Sequence, residues 1–365
     1  MNKKNIVYFI GQIGLGGSEK QLYLLLKYLN RPDLVCYVVV FNNSPFGNYE
    51  VELSKIGVKL YFIPKNVNSI PKRFIYLFYL LKKINPILIH SWTIHDNAYA
   101  GILGSLLKIK SLGSLRGSIF GTGFSKLSKF YKQIALRSVD NLLVNAKTLK
   151  LEAIDYGIPK SKIKYIPNSV EISTEKNINE RELIVCSIGN LRKNKNHSLF
   201  IDIMSNVLES IPSARGWIIG QPVQDEPDVE NELQSKIEVL ELQGRVQLLG
   251  FQPDILNLLR KCSVLVLTSI SEGMPNVVLE AMSIGIPVVA SNVGGVTQLI
   301  SHEESGLLCN IKNKNEFVDS IIKLLKQTDY NSKLGKCGMK FVVASHSPEK
   351  NVDNFNSLYF DLLGI

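Results

Sequence analysis

Cysteine is scarce and scattered: five residues, Cys36, Cys186, Cys262, Cys309 and Cys337, with no C-x-x-C pair in 365 positions. An odd number at such spacings argues against a disulfide framework or a zinc site and fits reduced core thiols. There is no D-x-D triplet, and the five histidines do not gather with carboxylates, so no metal set is expected. Long apolar runs are missing too. The most apolar helix-like run, FIYLFYLL at 74–81, falls far short of the roughly 20 residues a spanning helix needs. The opening MNKKNIVYFIGQIGLGGSEKQ has the basic head and apolar run of a secretory signal, but a glycine-rich loop stands where a small-residue cleavage site would be. It reads as a first buried strand. The expected location is cytoplasmic, with peripheral contact at the inner face of the membrane as a further option.

The formal net charge is +10, which suits acidic partners: nucleic acid, an anionic membrane or small phosphorylated substrates. Lys and Arg are scattered, without a compact basic cluster interleaved with aromatics, which argues against nucleic acid. At this length two packed domains are expected. Short apolar runs alternate with amphipathic ones: IVYFI (6–10), VCYVVVF (35–41), KLYFI (59–63), ILIH (87–90), SLGSL (111–115) and NLLVN (141–145). A polar stretch, EISTEKNINEREL, interrupts them, and the alternation restarts with LIVCSIG (183–189), ARGWIIG (214–220), RVQLLG (245–250), SVLVLTS (263–269) and IPVVAS (286–291). Strand-helix repetition implies parallel sheets covered on both faces. The expected fold is therefore α/β with two Rossmann-like doubly wound domains facing across a cleft. The first domain is expected over 1–170, a linker over 171–183, the second domain over 184–345, and over 346–365 a C-terminal helix that packs back on the first. Ser18 with Gln21 reads as a capping box for the first helix.

The segment SEGMPNVVLEAMSIGIPVVAS places Glu272 and Glu280 just after the strand SVLVLTS. A helix opening near Pro275 turns the backbone N–H groups around Gly273, Met274 and Asn276 toward the strand ends, where they suit a diphosphate. Carboxylates beside such a site have hydroxyls as their sensible partners, so Glu280 is expected at a ribose and Glu272 at a transferred sugar. Arg192, Lys193 and Lys195, after the first strand of the same half, offer balancing charge, with Arg192 and Lys195 preferred. His90 is expected to be satisfied by backbone and His197 to cap a helix. Of the histidines, His95 is the candidate for the site.

This constellation resembles the family 4 retaining glycosyltransferases, the GT-B group 1 enzymes of bacterial polysaccharide assembly. The match runs over nearly the whole chain and is strongest at the E-x7-E pair, Glu272 and Glu280. It implies that Glu272 contacts the donor sugar, Glu280 the ribose, and Lys195 the diphosphate. Asn190 replaces the family's usual arginine, and Arg192 is the substitute. GLGGSEKQ matches the family's GG-x-E loop, assigning Gly16, Gly17 and Glu19 to the donor phosphate and acceptor. His95 and Arg116 fall in segments resembling the acceptor side, where many members have a histidine at the place of Arg116.

The resemblance implies a metal-independent enzyme without cofactor. It would move a hexose or N-acetylhexosamine from a nucleotide-diphosphate sugar, UDP ahead of GDP, to a polyprenyl-diphosphate-linked glycan, with Glu272 positioning rather than attacking. Two other readings remain open: a nucleotide-sugar epimerase or sugar-phosphate synthase on the same fold, and an inactive subunit of a polysaccharide-assembly complex, suggested by Asn190, Arg116 and Gln298. Two stretches, 71–86 and 117–133, also have the basic and aromatic character of membrane-facing segments.

Overall fold

The computed structural model describes residues 3–14, 16–42, 49–120, 129–172 and 181–364. The middle of the expected linker and the middle of the 117–133 segment lie outside the described residues. The chain divides into two compact units, Met1–Ser169 with Pro348–Ile365, and Val170–Ser347.

The first unit runs β1 (Lys4–Ile10), α1 (Gly17–Tyr28), β2 (Leu34–Val40), α2 (Glu50–Lys55), β3 (Lys59–Phe62), α3 (Ile70–Ile84), β4 (Leu88–Ser91), α4 (Ile94–Leu107), β5 (Lys110–Leu115), α5 (Lys129–Arg137), β6 (Asn141–Val144), α6 (Lys147–Asp155) and β7 (Ile163–Tyr165). Its seven strands are parallel, in the order β3-β2-β1-β4-β5-β6-β7. Alternate side chains of β1 serve opposite faces, as the two-residue period of a strand requires. Ile6, Tyr8 and Ile10 pack with Leu22 and Leu25 of α1. Val7 and Phe9 pack with Leu77, Leu81 and Leu103 of α3 and α4.

The second unit runs β8 (Ile184–Ile188), α7 (His197–Ser210), β9 (Arg215–Ile219), α8 (Val229–Val239), β10 (Val246–Leu248), α9 (Ile255–Lys261), β11 (Val264–Leu267), α10 (Asn276–Ser283), β12 (Val288–Ser291), β13 (Leu307–Cys309), α11 (Lys314–Lys326) and α12 (Thr328–Ser345). Its six strands are parallel, in the order β10-β9-β8-β11-β12-β13. A last helix, α13 (Pro348–Leu363), belongs to the first unit, where Val352, Phe355, Leu358 and Tyr359 join the core of α1 and β1.

In each sheet the strand order reverses once, between β1 and β4 and between β8 and β11. Loops leaving two such neighbours diverge, and the crevice at their carboxyl ends is where open α/β sheets bind ligands. The segments singled out above fall there.

Several local expectations are corrected. β7 and β13 were not among the expected strands. The capping box is absent: α1 is preceded by Gly16 without a side-chain cap. Gln21 instead holds Ser169, giving a hydrogen bond to its carbonyl at 2.7 Å and accepting one from its N–H at 2.8 Å. A long-range pair of bonds has displaced the local one. Pro275 lies just before α10 rather than inside it. His90 is satisfied by side chains, not backbone: Tyr359 Oη lies 3.0 Å from Nδ1 and Ser114 Oγ 3.4 Å from Nε2. His197 is the first residue of α7, and the cap position belongs to Asn196, in the left-handed region at φ 53°.

Candidate functional site

In the second unit three loops are stitched together at the carboxyl ends of β8, β11 and β12. Asn194 Nδ2 donates to the Ser271 carbonyl at 2.9 Å, and Ile270 N–H donates to the Asn194 carbonyl at 2.8 Å. Thr268 Oγ1 lies 3.1 and 3.0 Å from the carbonyls of Lys195 and Asn196. Gly295 N–H reaches the Glu272 carbonyl at 3.1 Å. Gly294 has to be glycine here: its φ is +47° and a Cβ would overlap the Glu272 carbonyl.

These bonds bring Lys195 and Glu272 together. Lys195 Nζ donates to Glu272 Oε1 at 2.5 Å, and Ser269 Oγ donates to the same oxygen at 2.6 Å. Glu272 is thus held by two donors on one oxygen, in a pair whose side chains are 23% and 11% exposed. Gly273, Met274 and Pro275, the last residues of the loop, are buried, and α10 opens at Asn276. The first-turn amides of a helix lack intrahelical acceptors and carry partial positive charge, which suits an anion. Glu280, one turn into α10, is buried at 8% exposure.

Arg192 is placed differently. Its Nη1 pairs with Asp225 Oδ2 at 2.9 Å and Glu226 Oε1 at 3.6 Å, so its charge is already balanced. Lys193 is 69% exposed and pairs with Glu232. His197 anchors the same loop from below: Nδ1 is 3.0 Å from Ser187 Oγ and Nε2 3.1 Å from the Gly189 carbonyl. Burial pushes its pKa down to about 4, so the ring is neutral. Gln298 sits on the short helical turn Gly294–Gln298.

In the first unit the switch point holds the other candidates. Arg116, after β5, lies 3.9 Å over the Trp92 ring, donates Nε–H to the Trp92 carbonyl at 3.2 Å, and reaches Asn168 Oδ1 at 3.3 Å. Trp92 is fixed in turn by its indole N–H on the Ser18 carbonyl at 2.7 Å. Glu19 folds back over Gly16, where a Cβ would stand 2.5 Å from Oε2. Gly17 is the exposed first residue of α1. Desolvation raises the pKa of Glu19, against its hydrogen bonds and the Arg116 charge. Desolvation lowers Arg116 to about 9, against the charges of Glu19 and Tyr359. Arg116 and Glu19 are therefore electrostatic neighbours. His95 is the exposed residue of the otherwise buried first turn of α4, and its carbonyl accepts from Tyr131 Oη at 2.5 Å.

Sequence reasoning passed over Asp96, which is 2% exposed and accepts from Thr93 Oγ1 at 2.7 Å. Burial raises it to about 7. Trp92, Asn168 and Ser269 were also passed over. Ser269 carries the one legible signal, standing three residues before Glu272 at a strand end. Among the described residues no group of three His, Cys, Asp or Glu side chains could hold a metal ion, and no helix is long and apolar enough to cross a membrane.

A family model for group 1 glycosyl transferases matches residues 169–341, and one for Glycosyltransferase Family 4 matches residues 15–174. The chain is 25% identical over 338 residues to UDP-Gal:alpha-D-GlcNAc-diphosphoundecaprenol alpha-1,3-galactosyltransferase of Escherichia coli, covering 84% of this chain and 85% of that enzyme. It is 27% identical over 208 residues to N-acetyl-alpha-D-glucosaminyl L-malate synthase of Bacillus anthracis, a match that takes in 57% of this chain and 53% of that enzyme. The crystal structure of Anabaena HepE in complex with UDP and glucose superposes with a TM-score of 0.86 at 19% identity, covering 98% of this chain and all of that one. At that identity the likeness speaks for the fold.

Proposed function

Because the chain belongs to the group 1 glycosyltransferases of family 4, GT-B enzymes that use nucleotide sugars, we propose a specific transfer: a hexose or N-acetylhexosamine moves from a UDP-sugar to a hydroxyl of a polyprenyl-diphosphate-linked glycan in cell-surface polysaccharide synthesis, with retention at the anomeric carbon. The observation that carries this reading is Lys195 and Ser269 converging on Glu272 beside the start of α10. A cation and helix amides there would meet the diphosphate, and a carboxylate held by two donors would face the sugar. The Escherichia coli relative, named for a UDP-sugar donor and a diphosphoundecaprenol acceptor, supports UDP over GDP and a lipid-linked acceptor.

In this reading the bond between the anomeric carbon and the diphosphate oxygen breaks, and the electron pair leaves with the nucleoside diphosphate. The acceptor oxygen bonds to the same face of the sugar. Its proton passes to the departing phosphate. Lys195 and the α10 amides stabilise the leaving charge, the electrostatic contribution that usually dominates such catalysis. Glu272 stabilises positive charge developing on the sugar, Glu280 takes the ribose diol, Gly16, Gly17 and Glu19 serve the donor phosphate and acceptor, and His95 and Arg116 the acceptor side.

The test begins with UDP- and GDP-sugars scored for thermal protection, since a ligand at 100 times its dissociation constant adds about 2.7 kcal/mol. Turnover onto a polyprenyl-diphosphate-linked glycan and the anomeric configuration of the product are then measured. Glu272→Gln keeps an acceptor oxygen and loses the charge, so turnover should fall roughly a hundredfold while donor affinity changes little. Near-normal turnover would make Glu272 a structural loop residue. Donor consumption without glycan acceptor would favour an epimerase or sugar-phosphate synthase.

A further inference from the structure

One face of the first unit is left unexplained by the transfer chemistry. The stretch from 53 to 139, which supplies both faces of the sheet, carries fourteen Lys and Arg, the site's Arg116 among them, and a single acid, Asp96. Asp96 is 2% exposed, so it offers the surface no counter-charge. Helix α3 buries Leu77, Leu80, Leu81 and Ile84 against the sheet. Helical periodicity puts Lys72, Ile75, Tyr79 and Lys82 on the opposite stripe. Ile75 is 60% and Tyr79 68% exposed, and both lysines are exposed. Helix α4 packs beside α3 and leaves Ile102 and Leu106 open, Leu106 at 66%.

Isolated exposed apolar side chains are ordinary. Here they share adjoining helices with lysines, and neither helix has an exposed acid. Apolar side chains that gain by leaving water, interleaved with cations, are the chemistry of a helix lying at a membrane surface. A nucleic acid would answer the charge but leave Ile75, Ile102 and Leu106 wet.

We propose that the outer face of α3 and α4 docks on an anionic lipid bilayer, with the lysines among headgroup phosphates and Ile75, Tyr79, Ile102 and Leu106 at the acyl boundary. The argument stands apart from the identity of donor and acceptor. The full chain is sedimented with phosphatidylcholine vesicles, with and without phosphatidylglycerol. Partition is expected into the anionic vesicles and should fall as salt rises, because headgroup attraction is screened. The Lys72→Glu/Lys82→Glu variant should lose roughly 25-fold or more of that partition, with an unchanged thermal midpoint. Ile75→Ser/Tyr79→Ser should weaken it as well. The salt series on the unaltered protein needs no substitution and reads the same attraction. Equal partition into both vesicle types, no partition, or charge-reversed variants that bind as before would overturn the proposal. So would RNA binding that is lost with the lysines but indifferent to Ile75 and Tyr79.

Discussion

Lys195 and Arg192 are both basic, three residues apart on one loop, and their surroundings separate them. Lys195 is held on Glu272 at 2.5 Å, in the crevice at the strand switch. Arg192 spends its charge on Asp225 and Glu226. Both cations are ion-paired, so what separates them is place: Lys195 sits on Glu272, in the loop that leads into α10, whereas Arg192 would have to leave two acids of the loop after β9. Lys195→Ala should therefore lower turnover by roughly a hundredfold or more, about 2.7 kcal/mol, and Arg192→Ala by about tenfold or less. The check is turnover of both variants at saturating donor. Equal losses would show that Arg192 leaves its acids when the donor binds. That the two would differ was not legible in the sequence, where they look alike. The acids that neutralise Arg192 lie 33 and 34 positions away, and β9 brings them into reach.

At the scale of elements, α13 shows how a late segment completes an early one. Its Tyr359 hydroxyl lies 3.0 Å from His90 Nδ1 on β4 and 3.1 Å from Tyr8 Oη on β1. All three groups are buried, and each would be costly to leave unpaired. Burial drives the His90 pKa well down and those of Tyr8 and Tyr359 up, so the network is neutral near pH 7. Tyr359→Phe keeps the ring packing with Phe355 and Val352 but takes the partner from His90 Nδ1 and leaves Tyr8 with Cys36 alone. It should cost about 1 to 3 kcal/mol, read as a lower urea midpoint for the first unit. An unchanged midpoint would mean that the hydroxyl carries no stability. A helix over 346–365 was expected from the sequence. The hydroxyl that satisfies His90 was not, because the two residues stand 269 positions apart.

For the molecule as a whole, the proposed chemistry runs on fixed protein charge: a lysine, helix amides and held carboxylates. Activity should accordingly survive excess EDTA. Turnover lost on chelation and restored only by added magnesium or manganese would overturn the metal-independent reading. The alternation of short apolar runs with amphipathic segments was enough, without coordinates, to imply two parallel α/β halves. Residues 271–291 identified the E-x7-E signature and its family, because a strand, a turn and a small-residue helix leave a local pattern. Tertiary structure alone decided which basic residue meets Glu272, that Gln21 abandons a local cap for Ser169, and that Arg116 lies over Trp92 beside Glu19. Local backbone preference and hydrophobic period act over a few residues and are written in their order. Charge pairing and the satisfaction of buried polar groups act through space, and strand order sets which distant residues become neighbours.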